Sequence, residues 1–187
     1  LKHAPVAPAW QIYVGVLYDA LSFDTLTEAQ QNKLAKITFV QSALFGLISI
    51  GDQIPAYRLS GDCTLPRLGT LTSIWASACS DVLTSTNDFV IDLRSGNYQK
   101  LGPLPAQSNC VIPKILQRMP SGPPKVVSHH NKATKGRIVR AIAQSKTKVN
   151  SAESLAEIVT ILGADVHIKL PRGKVGATVL EVVVGEL

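Results

Sequence analysis

The sequence is poor in cysteine, in long apolar runs and, over one whole third, in acids. Its three cysteines, Cys63, Cys79 and Cys110, lie far apart and include no C-x-x-C pair. An odd, sparse set argues against a disulfide framework and against a structural zinc site, and fits a reducing cytoplasm. The longest nearly apolar stretch, Phe39 to Ile50, is interrupted by Gln41 and Ser42. It is too short to span a bilayer, so no membrane partner is expected. No secretory signal is visible either, since Lys2 and His3 are followed by prolines instead of an apolar segment. The chain starts at Leu1 and not at a methionine, which leaves room for a preceding segment.

Several chemical signatures are missing as well. There is no G-x-x-x-x-G-K-[ST] loop, no G-x-G-x-x-G after a strand, no H-E-x-x-H and no G-x-S-x-G elbow. These absences remove the common nucleotide hydrolases, Rossmann oxidoreductases, zincins and α/β-hydrolases from the leading readings.

What is present is a single-domain length, 187 residues, with 45% apolar and 17% charged residues. That composition is neither disordered nor coiled coil. The formal net charge of +6 hides its distribution. Leu1 to Asp92 holds five Lys/Arg against eight Asp/Glu, and Glu153 to Leu187 three against five. Leu93 to Ala152 holds eleven Lys/Arg and no acid. A mildly acidic chain therefore carries one wholly basic third.

Periodicity outlines the elements. Trp10 to Leu21 reads as a helix with Ile12, Val16 and Ala20 on one stripe. Thr27 and Gln30 form a capping-box start for a helix to about Ile37. Phe39 to Ile50 is either a strand with a bend at Gly46 or a buried helix end. Gly51 to Gly69 is a loop-rich connection, and Leu71 to Leu83 recovers helical spacing. Asp88 to Arg94 alternates with period two, as a strand does. Cys110 to Leu116 and Lys125 to His129 are two more candidate strands around a Pro120 to Pro124 turn. A helix follows over Lys132 to Gln144, and Asn150 with Glu153 opens another that ends at Gly163. Asp165 to Leu170, the Pro171–Lys174 turn and Thr178 to Val184 read as a terminal hairpin. One α/β domain over residues 1–187, with a mixed sheet, is the expected architecture.

Val126 to Ala143 is the most informative stretch. Asn131 can cap a helix that begins at Lys132, and a helix start attracts anions through its free N–H groups and dipole. In 100° steps, Ile138, Ala141 and Ile142 form the buried stripe, and Lys132, Arg137 and Arg140 lie away from it. Lys135 sits on the buried side, which is costly unless its ammonium meets an anion or a carboxylate. Two readings follow: a phosphate or carboxylate pocket of Ser128, Asn131, Lys132 and Lys135, or a helix whose lysines snorkel to water. A second candidate is Val90 to Tyr98, where Arg94 and Ser95 follow a strand end, the usual ligand edge of open α/β sheets. Its plain alternative is an Asp92–Arg94 surface pair and a glycine turn. The third is Gly51 to Leu59, where Arg58 can clamp an anion or pair with Asp52 or Asp62. His129 and His130 invite a metal, but as neighbours on a strand they would point to opposite faces. A third ligand such as Cys110 or His167 would have to come from elsewhere, so no metal site and no cofactor is assigned.

These segments together resemble the YaaA family of peroxide-stress proteins, and its shorter actinobacterial-type branch in particular. The match runs in order through VGVLYDAL (Val14 to Leu21), SALFGLISIGDQIPAYRL (Ser42 to Leu59), DLRSGNY (Asp92 to Tyr98) and VVSHHNKATKGRIVR (Val126 to Arg140). The last keeps the family's S-x-x-x-K-x-x-[KR]-G spacing as Ser128, Lys132, Lys135 and Gly136. The tail beyond Asn150 matches only in pattern, and Ser49-Ile50 stand where members often have Arg-Pro. Members normally begin with a strand and a short proline-lysine motif, and an N-terminal helix-hairpin-helix is expected with them. The resemblance thus equates this chain with the last three-quarters of a member. It implies a curved sheet flanked by helices, a cytoplasmic protein that binds DNA, and protection from peroxide by limiting unincorporated iron and its hydroxyl-radical damage.

Two functions compete on these grounds. In one, a basic face including Arg58, Arg94, Ser95, Ser128, Asn131, Lys132, Lys135, Arg137 and Arg140 holds nucleic acid, double-stranded DNA first, without sequence specificity. In the other, an enzyme or small-ligand binder takes a phosphate- or nucleobase-containing molecule in a crevice, with Lys135 of depressed pKa as nucleophile or base. A weaker third reading sequesters iron at His129, His130 and nearby acids.

Overall fold

The structure is a computed structural model that describes residues 3–105, 109–171 and 176–185, with the side chains of Ser128 and His129 outside the description. In chain order, β1 is Val6–Pro8, α1 Ala9–Ile12, α2 Val16–Leu21 and α3 Glu28–Ile37, with a 3₁₀ turn at Phe23–Thr25. Three short strand pairs follow through β2 (Phe39–Ser42), β3 (Gly46–Ser49), β4 (Gln53–Pro55), β5 (Thr64–Leu65) and β6 (Gly69–Thr70). Then come α4 (Leu71–Ser85), β7 (Val90–Ile91), α5 (Gly96–Gln99) and β8 (Cys110–Gln117). The chain closes with α6 (Ser128–Gln144), α7 (Ala152–Ile161), β9 (Asp165–Lys169) and β10 (Thr178–Val184). The fold is mixed α/β.

The contacts divide into two compact units, residues 1–13, 32–87 and 94–105 in the first and 14–31, 88–93 and 106–187 in the second. The second unit holds the mixed sheet, in the order β7-β8-β10-β9, with β9 antiparallel and the other pairs parallel. Register explains its buried face. Val111, Pro113 and Ile115 of β8 stand beside Thr178, Leu180 and Val182 of β10, and Ile168 and Val166 of β9 continue the rows. Side chains on one face of a sheet recur every second residue, so these form one apolar surface. Ile138 and Ile142 of α6 and Leu155, Ile158 and Val159 of α7 cover it. On the other face, Glu181 stands opposite Lys114 at 3.2 Å and reaches Lys169 at 4.0 Å. Helix α2 packs on α6 at Gly136, where an added Cβ would lie 2.1 Å from the Leu17 carbonyl oxygen.

The first unit has no large sheet among its described residues, only the antiparallel pairs β1–β4, β2–β3 and β5–β6. The β2–β3 hairpin turns through Ala43-Leu44-Phe45 into Gly46 at φ +74°. Gly46 also lies under the Trp75 ring, which a Cβ would meet at 2.8 Å. Trp75 in turn donates its indole N–H to the Ala43 carbonyl at 3.0 Å. The small core around Ala43, Leu71 and Leu101 gathers Ile74, Trp75 and Tyr98.

Five expectations need correction. The helix expected over Trp10 to Leu21 breaks into α1 and α2, because Gly15 takes φ +113° and resets the chain direction. Lys125 to His129 is not a strand. Lys125 makes one isolated bridge to Gln117, and α6 begins at Ser128. His129 and His130 are therefore helical, and Asn131 lies inside the first turn of α6 with Val127 at the cap position. Asp88 to Arg94 contracts to Val90–Ile91, although Asp92 still donates its N–H to Val111. The cap of α7 is Ser151 and not Asn150, closed by a reciprocal box with Ser154. Phe39 to Ile50 resolves as a hairpin, and the capping box at Thr27 and Gln30 forms as read. The Pro171–Lys174 turn falls largely on residues 172–175, outside the described residues.

Candidate functional site

The cations of the basic third have different surroundings. In the second unit, Lys135 leaves α6 on the side of Ile138, as its spacing requires, and is 9% exposed. Its counter-charge is Asp92, itself 4% exposed, just past the end of β7. Burial lowers the Lys135 pKa from the ordinary lysine range, and the Asp92 carboxylate opposes that fall. Cys110, fully buried at the start of β8, has its thiol pushed up by burial and by the same carboxylate. The lysine thus has the carboxylate that its burial demanded.

Two further polar atoms lie on this side of α6. Asn131, Thr134 and Lys135 are spaced i, i+3, i+4 and share a face. Asn131 Oδ1 and Thr134 Oγ1 are buried without a hydrogen-bond partner among the described residues. An orphaned buried group of this kind costs about 1–3 kcal/mol. Sequence reading included Asn131 as a cap and overlooked Thr134. A threonine four residues before a buried isoleucine on the same stripe was the available signal.

The remaining cations of α6 and its flanks behave differently. Arg140 is half-buried, and its Nη1 donates to the carbonyls of Leu21 and Ser22 at 2.9 and 3.0 Å and to Thr25 Oγ1 at 2.8 Å. It therefore caps the C-terminal end of α2, where the helix dipole favours a cation. Lys114 and Arg118 pair with Glu181 and Asp165. Lys125, Lys132, Arg137, Lys146 and Lys148 are exposed. Ser128 is the first residue of α6, and its side chain, like that of His129, lies outside the description.

In the first unit, Arg94 donates from Nη1 to Gln41 Oε1 at 3.0 Å, and Gln41 Nε2 reaches Cys79 Sγ at 3.3 Å. Gly102 closes over this group, since a Cβ there would lie 2.7 Å from the Cys79 Cβ. Ser95 precedes α5 and offers its carbonyl to Tyr98 and Gln99. Arg58 is exposed after β4, while Asp52 and Asp62 are engaged by the Ser49 N–H and the Ser60 hydroxyl. Its neighbour Tyr57 is the centre of a hydroxyl chain. Ser42 Oγ accepts the N–H groups of Leu44 and Phe45 at 3.2 and 3.0 Å, so its own proton is directed to Tyr57 at 2.7 Å. Tyr57 in turn meets Tyr13 at 2.7 Å. By periodicity Gln41 and Ser42 read only as interruptions of an apolar run, although Ser42 and Tyr57 both lie in the second family motif. Polar residues in such a run, buried as these are, signal a hydrogen-bonded network.

Among the described residues no group of three or more His, Cys, Asp or Glu gathers as a metal centre would require. No described helix is long and apolar enough to cross a membrane.

Comparison with known proteins places these motifs. A family model described as "Peroxide stress protein YaaA" matches residues 1–163. A UPF0246 protein of Corynebacterium efficiens is 42% identical over 172 residues, covering 90% of this chain and 67% of the relative. One from Corynebacterium glutamicum is 41% identical over 167 residues, covering 87% and 65%. One from Streptomyces coelicolor is 37% identical over 177 residues, covering 91% and 66%. The chain thus spans about two thirds of the length of the curated relatives it matches. With the match running through the buried lysine, the Gly136 crossing and the Ser42–Tyr57 network alike, the chain belongs to the YaaA family of peroxide-stress proteins.

Proposed function

We propose that the chain serves peroxide-stress protection by holding nucleic acid, double-stranded DNA first, along the solvent side of α6, and so limits iron-dependent oxidative damage to it. One observation carries this reading: five exposed cations, Lys125, Lys132, Arg137, Lys146 and Lys148, lie on α6 and its flanks with no acid in that stretch of sequence. The helix is 17 residues long and extends about 25 Å. Phosphates recur along a DNA strand every ~3.4 Å, so a helix of that length can follow several. The contacts are to phosphate, and no base-reading element accompanies them.

The expected behaviour is binding to a duplex of any sequence that weakens steeply with salt. With about five phosphate contacts, log K should fall with log salt at a slope of about −4.5. Fluorescence anisotropy at low salt measures this. The Lys132→Glu, Arg137→Glu double variant should lower affinity at least about tenfold and flatten the slope by about two. In a plasmid-nicking assay with ferrous iron and peroxide, the wild-type chain should reduce nicking and this variant should not. Undetectable binding at low salt, or a variant indistinguishable from wild type, overturns the reading.

A further inference from the structure

We infer that β9 is a self-recognition edge: two copies of this chain join antiparallel along it, with His167 on the two-fold axis, and merge their four-stranded sheets into one. The backbone of β9 gives the first reason. In the order β7-β8-β10-β9 this last strand is paired on one side only, among the described residues. Its other side presents a row of N–H and C=O groups that a further strand can take up. Charged side chains protect such edges, and β9 carries them at alternate positions, Asp165, His167 and Lys169, all exposed. The order of the charges decides whether they also repel a second copy. Acid and base stand at equal distances on either side of His167. Reversing the strand direction therefore brings each Asp165 opposite the Lys169 of the other copy. Unlike charges directly opposed stabilise an antiparallel pair, and like charges destabilise it. Against a second β9 the pattern attracts.

The same residues fix the register. With His167 opposite itself, Val166 faces Ile168 of the second copy and Leu170 faces its Ala164. A slip of two residues sets Asp165 or Lys169 against histidine and loses both ion pairs, and a slip of one sets apolar residues against charged ones. Val166 and Ile168 continue the buried rows of β10 but are only half-buried, since no described strand extends those rows further. Exposed apolar residues gather at both ends of this strand. Ile161 and Leu162, 84% and 42% exposed, lead into β9, and Leu170, 76% exposed, follows it. In the paired register Leu170 of one copy lies two positions from Leu162 of the other. The ion pairs within the chain do not exclude the new ones. Arg118 reaches Oδ2 of Asp165, and a carboxylate has a second oxygen; Lys169 lies 4.0 Å from Glu181, and an ammonium has three donors. Such a two-fold is isologous and closes at two copies. A short edge is small against the roughly 1,200–2,000 Å² of a stable complex, so the dimer is a reversible one.

The interface involves none of the cations proposed to hold phosphates, and its test uses no nucleic acid. The whole chain is followed by sedimentation velocity from low micromolar to submillimolar concentration, with a thiol reductant present. The expected result is a reversible monomer–dimer equilibrium that weakens with salt. Asp165→Lys sets lysine against lysine twice across the seam, and Lys169→Asp sets acid against acid twice. Each should weaken self-association at least about tenfold. Both positions are exposed, and thermal melts report separately that each variant keeps its fold. Mixing the two variants in equal amounts should restore association as a heterodimer, because every lysine then meets an aspartate. The charge-exchanged double variant Asp165→Lys, Lys169→Asp should likewise pair with itself and not with the wild type. Three results overturn the inference: a wild-type chain that stays monomeric over the whole range, a dimer indifferent to both reversals, and a mixture of the two variants that does not associate. In the first case β9 is an edge protected by its charges. None of these results touches the charge-reversal test of Lys132 and Arg137.

Discussion

The two units of this chain solve the same problem by opposite means. The second unit builds one broad apolar layer, the face of a four-stranded sheet under α6 and α7, and can therefore bury a charged pair, Asp92 and Lys135, at its margin. The first unit has no comparable layer among its described residues. It is held by three strand pairs and by directional bonds, Arg94 to Gln41, Gln41 to Cys79, Ser42 to Tyr57 and Tyr57 to Tyr13. The contrast appears in how each accommodates a cation of the basic third. Lys135 faces a carboxylate, while the contacts of Arg94 include a bond to the Gln41 amide oxygen. Apolar burial is non-directional and scales with area, so it tolerates a costly ion pair. A hydrogen-bonded assembly depends on each partner being present.

The comparison is broken most severely by removing one charge from the second unit. Asp92→Asn leaves the Lys135 ammonium buried without its counter-charge, an effect of about 3–5 kcal/mol. Urea denaturation should show it as a lowered midpoint. Adding Lys135→Met should recover most of the loss, because replacing both members of a buried pair is far less costly than removing one. If the double variant is as unstable as Asp92→Asn, the two residues are not coupled in the fold.

A smaller loss is expected where α2 crosses α6. Gly136→Ala places a methyl 2.1 Å from the Leu17 carbonyl oxygen, 3.0 Å from the Ala20 Cβ and 3.0 Å from the Leu21 nitrogen. Backbone cannot rotate away as a side chain would, so the helices must separate, at about 2–3 kcal/mol. Arg140 would lose its carbonyl partners in the same movement, and hydrogen exchange at Ser22 and Thr25 should accelerate. In the first unit Tyr57→Phe deletes the hydroxyl shared by Ser42 and Tyr13, at about 1–2 kcal/mol, with no cavity. A Tyr57→Phe chain as stable as wild type would mean that the network orders this unit without stabilising it.

How much of this was legible in the sequence follows the same divide. Local periodicity carried the inward placement of Lys135, the capping box at Thr27, the helix of α4 and the terminal hairpin, because each depends on residues a few positions apart. The partner of Lys135 was not legible. Asp92 lies 43 positions earlier, and only the parallel register of β7 on β8 brings it there. The misread strand at Lys125 to His129 rested on two valines, a preference that the helical bond from Asn131 N–H to the Val127 carbonyl overrides. Gly15 in the expected first helix was a visible warning, since glycine is the residue that takes φ +113° without strain. Charge counting located the basic third correctly but could not divide it. Which cations are buried, capping a helix, paired or exposed is decided by tertiary contacts, as Arg140 and Lys132 show from one helix.

The finest test of the contrast is a difference in pH response, set by Lys135 and Cys110 within a single site. Burial lowers the lysine pKa in the folded chain, so between that lowered value and the ordinary lysine range the unfolded chain binds more protons. Stability contributed by Lys135 must therefore rise with pH across that window, be complete above the ordinary lysine pKa, and be lost as pH falls through the lowered one. Cys110 has the opposite sign. Its raised pKa means that its contribution is complete below the ordinary thiol range and is lost as pH rises through the folded value. The two slopes oppose one another in the alkaline range, and wild-type stability alone would show little. Subtracting the variants separates them: relative to Lys135→Met the wild type should gain stability on the alkaline side, and relative to Cys110→Ala it should lose it. No fold-stabilising bond of the first unit enters either difference. Both slopes should vanish in Asp92→Asn, Lys135→Met, Cys110→Ala, since no ionisable member of the cluster then remains.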